Sequence, residues 1–370
     1  MKTPTAIEIR EDTYQIDGSY YVCNNCGWLY LYISEKPVEM CPRCFSGMLT
    51  PISVKNLQDF QKNPVEKALP FQMQLVELSA AFRKFGSGIP FAPKDLTPGD
   101  LLQKVRKIYL PMFMVDTRVK AKWWAETGFD YGVVSHKARY DDNQREWTSK
   151  KVQEIRIRWE PRLGFLEREY NNVIAPALEE HNSIVSRIGD FRFNGNISKK
   201  VENLDDVYIC LPNRKASDAW PDALADLQRV ASEDCRKASG ADQLRGFKWE
   251  PDFLNKEWTL LLLPIYSTFY SNEEGDLLPV MIQGQTGKIF GIRRASMKKA
   301  KRISLILIAF SAGLFLLSAL ILAGSITFPI FLVFSIIGFL FSILFCLGAS
   351  IPVLLVWNFN RNKNLTEMNF

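Results

Sequence analysis

Histidine is nearly missing. The 370 residues contain two, His136 and His181, so general acid–base chemistry near neutral pH has little to draw on. A Cys–His nucleophile pair would have to use Cys210 or Cys235. Cys235 falls on the apolar side of a predicted helix, where an inert buried thiol is the ordinary outcome. Phosphate-loop chemistry is missing too. Gly284-Gln285-Thr286-Gly287-Lys288 suggests it, but a phosphate loop would need glycine in place of Ile282 and Ser or Thr in place of Ile289. Helicase motifs are absent. The acidic pairs Asp141-Asp142 and Asp205-Asp206 read as turn or cap residues, and Glu273, Glu274 and Asp276 as a solvated turn. The chain reads as a non-enzyme.

Charge is missing where it decides most. Residues 303 to 360 carry no charged side chain. A bilayer core about 30 Å thick takes one helix of about 20 apolar residues, so this run accommodates two. Gly324 through Pro329 interrupts it, and Pro329 is placed to open a new helix. The expectation is a transmembrane hairpin over 303–357, with helices 303–323 and 329–357. Arg293, Arg294, Lys298, Lys299, Lys301 and Arg302 precede it; Arg361 and Lys363 follow it. Basic flanks favour the cytoplasmic side, so both termini and the main body are expected there, in a multi-pass protein of the bacterial inner membrane. The N-terminus shows no apolar signal segment. The six preceding cations would also meet anionic lipid headgroups. Of 46 basic and 40 acidic residues, eight basic and one acidic lie beyond position 292, which leaves 38 against 39 in the body. That balance does not suit duplex DNA binding by phosphate neutralisation.

Cysteine is sparse but ordered. Cys23-Asn24-Asn25-Cys26 and Cys41-Pro42-Arg43-Cys44 form C-x2-C-x14-C-x2-C. Four thiolates at this spacing are the donor set of structural Zn²⁺ and close its coordination shell. Iron is the alternative metal, and two disulfides are disfavoured in a cytoplasmic setting. Trp28 to Ile33, between the knuckles, reads as a strand of a zinc ribbon over 17–50.

The body, 64–292, reads as α+β with antiparallel strands. Phe71, Leu75, Leu78, Phe82 and Phe85 predict one amphipathic helix over 64–85. A long hairpin is expected between Tyr131–Arg139 and Glu146–Trp159, with residues 140–144 at its tip. Helices are expected over Asn172–Ile188 and over Ser217–Ser239, the latter capped by Ser217, with Trp220, Leu224, Leu227, Val230 and Cys235 on its apolar side. Trp258–Tyr270 reads as a strand. Leu277–Gln283 pairs with Lys288–Ile292 across the Gly284–Gly287 turn. Tyr109-Leu110-Pro111-Met112-Phe113 and Leu262-Leu263-Pro264-Ile265-Tyr266 echo one another, and their prolines suggest strand starts or edges.

The run from Cys23 through Cys44, with Leu69-Pro70-Phe71, Tyr109–Phe113, Leu263–Tyr266 and Gln283–Lys288, resembles a bacterial family of zinc-ribbon membrane proteins. These are often called transcription-factor-IIB-type or, loosely, primosomal helicase-like. Family members usually read Asn where Gln283 stands, and Trp where Phe113 stands. The resemblance covers most of the chain. It implies a zinc ribbon on Cys23, Cys26, Cys41 and Cys44, a cytoplasmic α/β region and C-terminal membrane helices. For some relatives it implies a place in envelope-stress systems, holding a membrane-remodelling protein at the bilayer. The leading functional reading is a membrane-anchored adaptor or scaffold that recruits a protein partner. The second is a membrane-tethered nucleic-acid binder that stacks bases on Trp28 and Tyr30. The third is an accessory subunit of a membrane complex, packing on other spans through Ala309, Gly313, Gly338 and Ser342. A homo- or hetero-oligomer fits any of the three.

Overall fold

The computed structural model describes residues 19–33, 40–53, 65–141, 143, 145–193, 206–241, 243–324 and 330–367. The expected turn at 325–329 lies outside them, as do Asp142, Gln144 and Asp205.

Three strands dominate: β5 (Arg106–Asp141), β6 (Glu146–Pro176) and β8 (Gln243–Ser271). They are far longer than the usual strand of about 5–6 residues. β5 pairs antiparallel with β8 from Arg106↔Ser267 to Gly128↔Gln243, and with β6 from Met112↔Pro176 to Asp141↔Glu146. Around them lie β1 (Ser19–Cys23), β2 (Leu29–Ile33), β3 (Leu49–Pro51), β4 (Val65–Ala68), β7 (Val207–Cys210), β9 (Leu277–Gln283) and β10 (Ile289–Gly291). The sheet runs β10-β9-β8-β5-β7-β2-β1-β3, with β4 against β8 and β6 against β5. β2 joins β7 through Tyr30↔Cys210 to Ile33↔Val207, so the cysteine-bearing strands extend the sheet of the body.

Near its start β5 is buried on both faces, which is why Ile108 to Val115 reads as an unbroken apolar run. On one face Ile108, Leu110, Met112 and Met114 pack with Trp28, Tyr30 and helix α3 (His181–Ile188). On the other, Tyr109, Phe113 and Val115 meet helix α4 (Ala216–Ala238). Helices α1 (Leu75–Ser87) and α2 (Pro98–Gln103) pack against Tyr266, Tyr270, Val280 and Ile282.

Several expectations need correction. The helix expected over 64–85 begins only at Leu75. Val65–Ala68 is instead strand β4, parallel to β8, and Leu75 is 73% exposed. The helix expected over Asn172–Ile188 is strand in its first five residues and helix only in its last eight. β6 runs to Pro176 and the helix starts at His181, because Ile174 completes the ladder opposite Met114. Helix α4 begins after Lys215, and the Ser217 hydroxyl donates to Asp218 rather than capping. Its buried stripe is Ala219, Ala223, Leu227, Ala231 and Cys235, while Val230 faces outward. Small residues let this helix lie close to the sheet.

The echoing prolines sit inside strands, not at starts or edges. They lie on neighbouring strands, two residues out of register: Tyr109 pairs with Pro264 and Pro111 with Leu262. Each lies where the outer neighbour changes. β7 ends at Tyr109 and β6 begins at Met112; β4 ends at Leu262 and β9 begins at Ile265. A proline costs no ladder bond at a changeover, where no partner waits for its missing N–H.

The hydrophobic C-terminus forms three helices: α5 (Met297–Gly324), α6 (Ile330–Gly348) and α7 (Ile351–Glu367). The first starts six residues earlier than expected and carries Lys298 to Arg302. The second expected helix is broken at Ala349-Ser350. Pro352 in the first turn of α7 cannot donate to the Gly348 carbonyl, so the helix restarts there. Two segments, Met297–Ala323 and Leu332–Arg361, are long and apolar enough to cross a membrane; only 11% and 17% of their most apolar windows are buried. They are therefore not core helices. Buried serines recur at seven-residue spacing, Ser304, Ser311 and Ser318 on α5 and Ser335 and Ser342 on α6. The Ser311 and Ser342 hydroxyls donate to each other's backbone carbonyls at 2.8 and 3.0 Å. Gly338 packs on Ser318. Two of the four small residues expected to meet other spans, Gly338 and Ser342, are thus spent within the hairpin; Ala309 and Gly313 stay exposed.

Candidate metal centre

Each C-x2-C bends so that backbone N–H groups point at its first sulfur. Asn25 and Cys26 donate to Cys23 Sγ, and Arg43 to Cys41 Sγ, all at 3.4 Å. Each knuckle then closes in the same way. The Gly27 N–H donates to the Cys23 carbonyl and the Phe45 N–H to the Cys41 carbonyl, both at 3.0 Å. Both closing residues take positive φ, +71° at Gly27 and +53° at Phe45. Glycine makes the first turn easily. The second is held by burial of the Phe45 ring against Phe269, centroids 4.6 Å apart. Gly47 is needed for space, because a Cβ there would fall on Cys23 Sγ.

The four thiols gather at one point, all within 4.8 Å of one another. Cys23 to Cys44 and Cys26 to Cys41 are both 3.7 Å apart. Four thiolates about 2.3 Å from a tetrahedral ion lie about 3.8 Å apart, so the donor set fits a metal of that geometry. The separation is too long for a disulfide bond, about 2.05 Å. The hydrogen bond from the Cys26 thiol, working against burial, holds the Cys41 thiol down to about 4; the same bond, with burial, raises Cys26. A metal would take the place of that shared proton. All four residues named from the spacing come together, and among the described residues no other group of three or more Cys, His, Asp or Glu side chains does so.

Sequence reading missed what fastens this centre to the body. Glu180, just ahead of α3, accepts from Trp28 Nε1 at 3.1 Å, Arg43 Nη1 at 3.4 Å and Asn213 Nδ2 at 3.0 Å. Arg43 in turn stacks on the Trp28 ring at 3.7 Å. Burial pushes the Glu180 carboxyl up, but these hydrogen bonds and the Arg43 charge outweigh it and leave it below the usual value. Nothing local marks Glu180, which lies more than 130 residues from the cysteines. Trp28 and Tyr30, considered as base-stacking residues, are buried, and the Tyr30 hydroxyl lies 3.6 Å from Cys41 Sγ.

The remaining candidates are scattered. His136 is exposed on the distal hairpin. His181 is buried, its imidazole held below the usual value by burial and then by Arg214. Cys210 and Cys235 are both buried, which raises their thiols. Gln283 to Lys288 forms the β9–β10 turn. The Gln283 carbonyl oxygen accepts from the Thr286 N–H and hydroxyl, both at 2.6 Å, and its amide donates to the Asp190 carbonyl. The polar side chains of this motif are spent on holding the turn and the 190–193 segment.

Comparison with protein-family models, with curated proteins and with solved structures finds no match in any of the three.

Proposed function

We propose that this chain is a membrane-anchored, zinc-stabilised, non-enzymatic adaptor that recruits a protein partner to the bacterial inner membrane, with the body in the cytoplasm. The observation that carries this reading is the distal β5–β6 ribbon. Beyond Gly128↔Gln243 the two strands continue without β8. Even-numbered β5 residues and odd-numbered β6 residues from Thr117↔Tyr170 outward share one face. That face carries Val134, Tyr140, Trp147, Ile155, Ile157, Leu163 and Phe165, all exposed; Ile155 is 76% and Leu163 83% accessible. Seven large exposed apolar side chains on one face, set among polar residues, suit an interaction surface. The basic flanks support the orientation. So does the clamp between hairpin ends, where Asn360 exchanges two hydrogen bonds with the Ala295 backbone, at 2.9 and 3.1 Å. The cysteine geometry suits zinc. The family resemblance supports a role in envelope stress. The exposed cations at the start of α5 suit anionic headgroups.

A photo-crosslinker placed at Leu163 or Ile155 of the full chain in intact membranes tests the adaptor reading. One defined adduct should form, and Ile155→Asp with Phe165→Asp should abolish it. ATP turnover by the purified chain, lost on Lys288→Ala, would replace this reading with an enzyme. For orientation, Ser325→Cys should react with an impermeant thiol probe from outside the cell.

A further inference from the structure

Where α5 leaves the body, three separate segments line an open cavity of about 390 Å³, within the size range of small-molecule sites. They are the loop before α2, the residues after β8 and the first turns of α5. Four cations line it: Lys94, Lys298, Lys299 and Arg302. Its two acids are already engaged. Asp95 accepts from the Ser271 N–H at 2.8 Å and from Lys104 at 3.4 Å. Glu273 accepts from the Ser296 hydroxyl and from the Lys298 N–H at 2.6 Å, so a carboxylate already caps this helix. The cations are not neutralised in the same way. Among the described residues the Lys298 and Lys299 ammonium groups donate to the carbonyls of Glu273 and Ala92, at 3.0 and 2.5 Å. Lys94 and Arg302 have no ion pair among the described residues. Arg302 is also the last charge before the uncharged run begins at 303.

We propose that this cavity binds a phosphate group, that of an anionic phospholipid at the level where α5 enters the bilayer. The inference rests on the membrane reading and narrows it. Of the six cations that precede the hairpin, three line the cavity. Arg293 stacks on Phe85 and Arg294 reaches the Asn360 carbonyl, so both belong to the packing of the body. Lys94, about 200 residues away in sequence, completes the set. Lysine and arginine donors around one cleft suit phosphate oxygens and repel the quaternary amine of a choline headgroup. Because the walls come from three segments, an occupant would tie the body to the first helix.

The test uses full-length protein in detergent, titrated with phosphatidylglycerol or phosphatidylcholine and read by native mass spectrometry. One phosphatidylglycerol should be retained per chain in preference to phosphatidylcholine. Lys94→Gln with Arg302→Gln should weaken retention about 30-fold, equivalent to about 1 kcal/mol per charge removed. Lys301→Gln with Arg361→Gln removes the same charge outside the cavity and should change retention little. Displacement of the lipid by inorganic phosphate below millimolar concentration would keep the site and assign it to a soluble phosphate. Equal weakening by both double variants would mean diffuse attraction and overturn the site, while leaving the membrane reading intact. Release of the protein from membranes by an alkaline wash without detergent would overturn both.

Discussion

The two ends of β5 share a strand and a ladder yet live in different surroundings. From Ile108 to Val115 every side chain is buried, with α3 on one face, α4 on the other and sheet neighbours at both edges. From Asp130 to Asp141 the same strand has one neighbour and neither face covered. The difference shows that pairing alone carries a strand well past the core that stabilises it. The proximal end bears the stability and packs on the four-cysteine cluster; the distal end is free to meet something else.

The largest effect should come at the proximal end, on the centre itself. Cys26→Ser removes one of four donors, and a module this small cannot replace the metal with core. Metal should be lost on elemental analysis and amide protection should fall across residues 19–51, while α5 and α6 stay inserted. Next comes the direct contrast. Phe113→Ala, in the buried stretch, should cost about 3–5 kcal/mol in denaturant unfolding. Ile155→Ala on the ribbon should change stability by less than about 0.5 kcal/mol. Joining Gly132 directly to Ile155 through an Asn-Gly turn should likewise leave the unfolding midpoint in place, because the removed segment has one neighbour and neither face covered. A large loss of stability from that deletion would break the comparison. Glu180→Ala should be intermediate, about 1–3 kcal/mol, since it strands the Trp28, Arg43 and Asn213 donors. Metal should then exchange faster without being lost. The smallest effect concerns pH. Burial keeps the folded His181 imidazole neutral below its ordinary value, so the unfolded chain binds a proton that the folded chain does not. Stability should therefore fall as pH drops below about 6.5, and His181→Phe should make that slope shallower.

Most of this fold was legible where a single local rule decided the outcome. The cysteine spacing predicted its own cluster because two knuckles need only short-range turns. The uncharged run predicted long apolar helices because length and polarity suffice. The β9–β10 hairpin and the tip near Asp141 followed from turn residues between alternating strands. Errors arose where two rules competed. Helical spacing in 64–85 and 172–188 is real, but Val65–Ala68 and Val173–Pro176 gained more by pairing with β8 and β5 than by continuing the helix. The prolines were misplaced because an edge and a changeover look alike in sequence: both spare a missing N–H. Glu273 was taken for a solvated turn residue, since nothing in 271–276 reveals that the start of α5 lies beside it.

The sequence by itself determined the four clustered cysteines, the uncharged helices and the balance of charge, because each depends on residue type and near neighbours in the chain. Only the tertiary structure decided that Glu180 locks the cysteine module to the body, that Pro111 and Pro264 each sit where a strand changes its outer neighbour, and that Lys94 joins Lys298, Lys299 and Arg302 around one cavity. Those arrangements join residues tens to hundreds of positions apart, and the register of β5 against its neighbours, set by burial on both faces, brings them together.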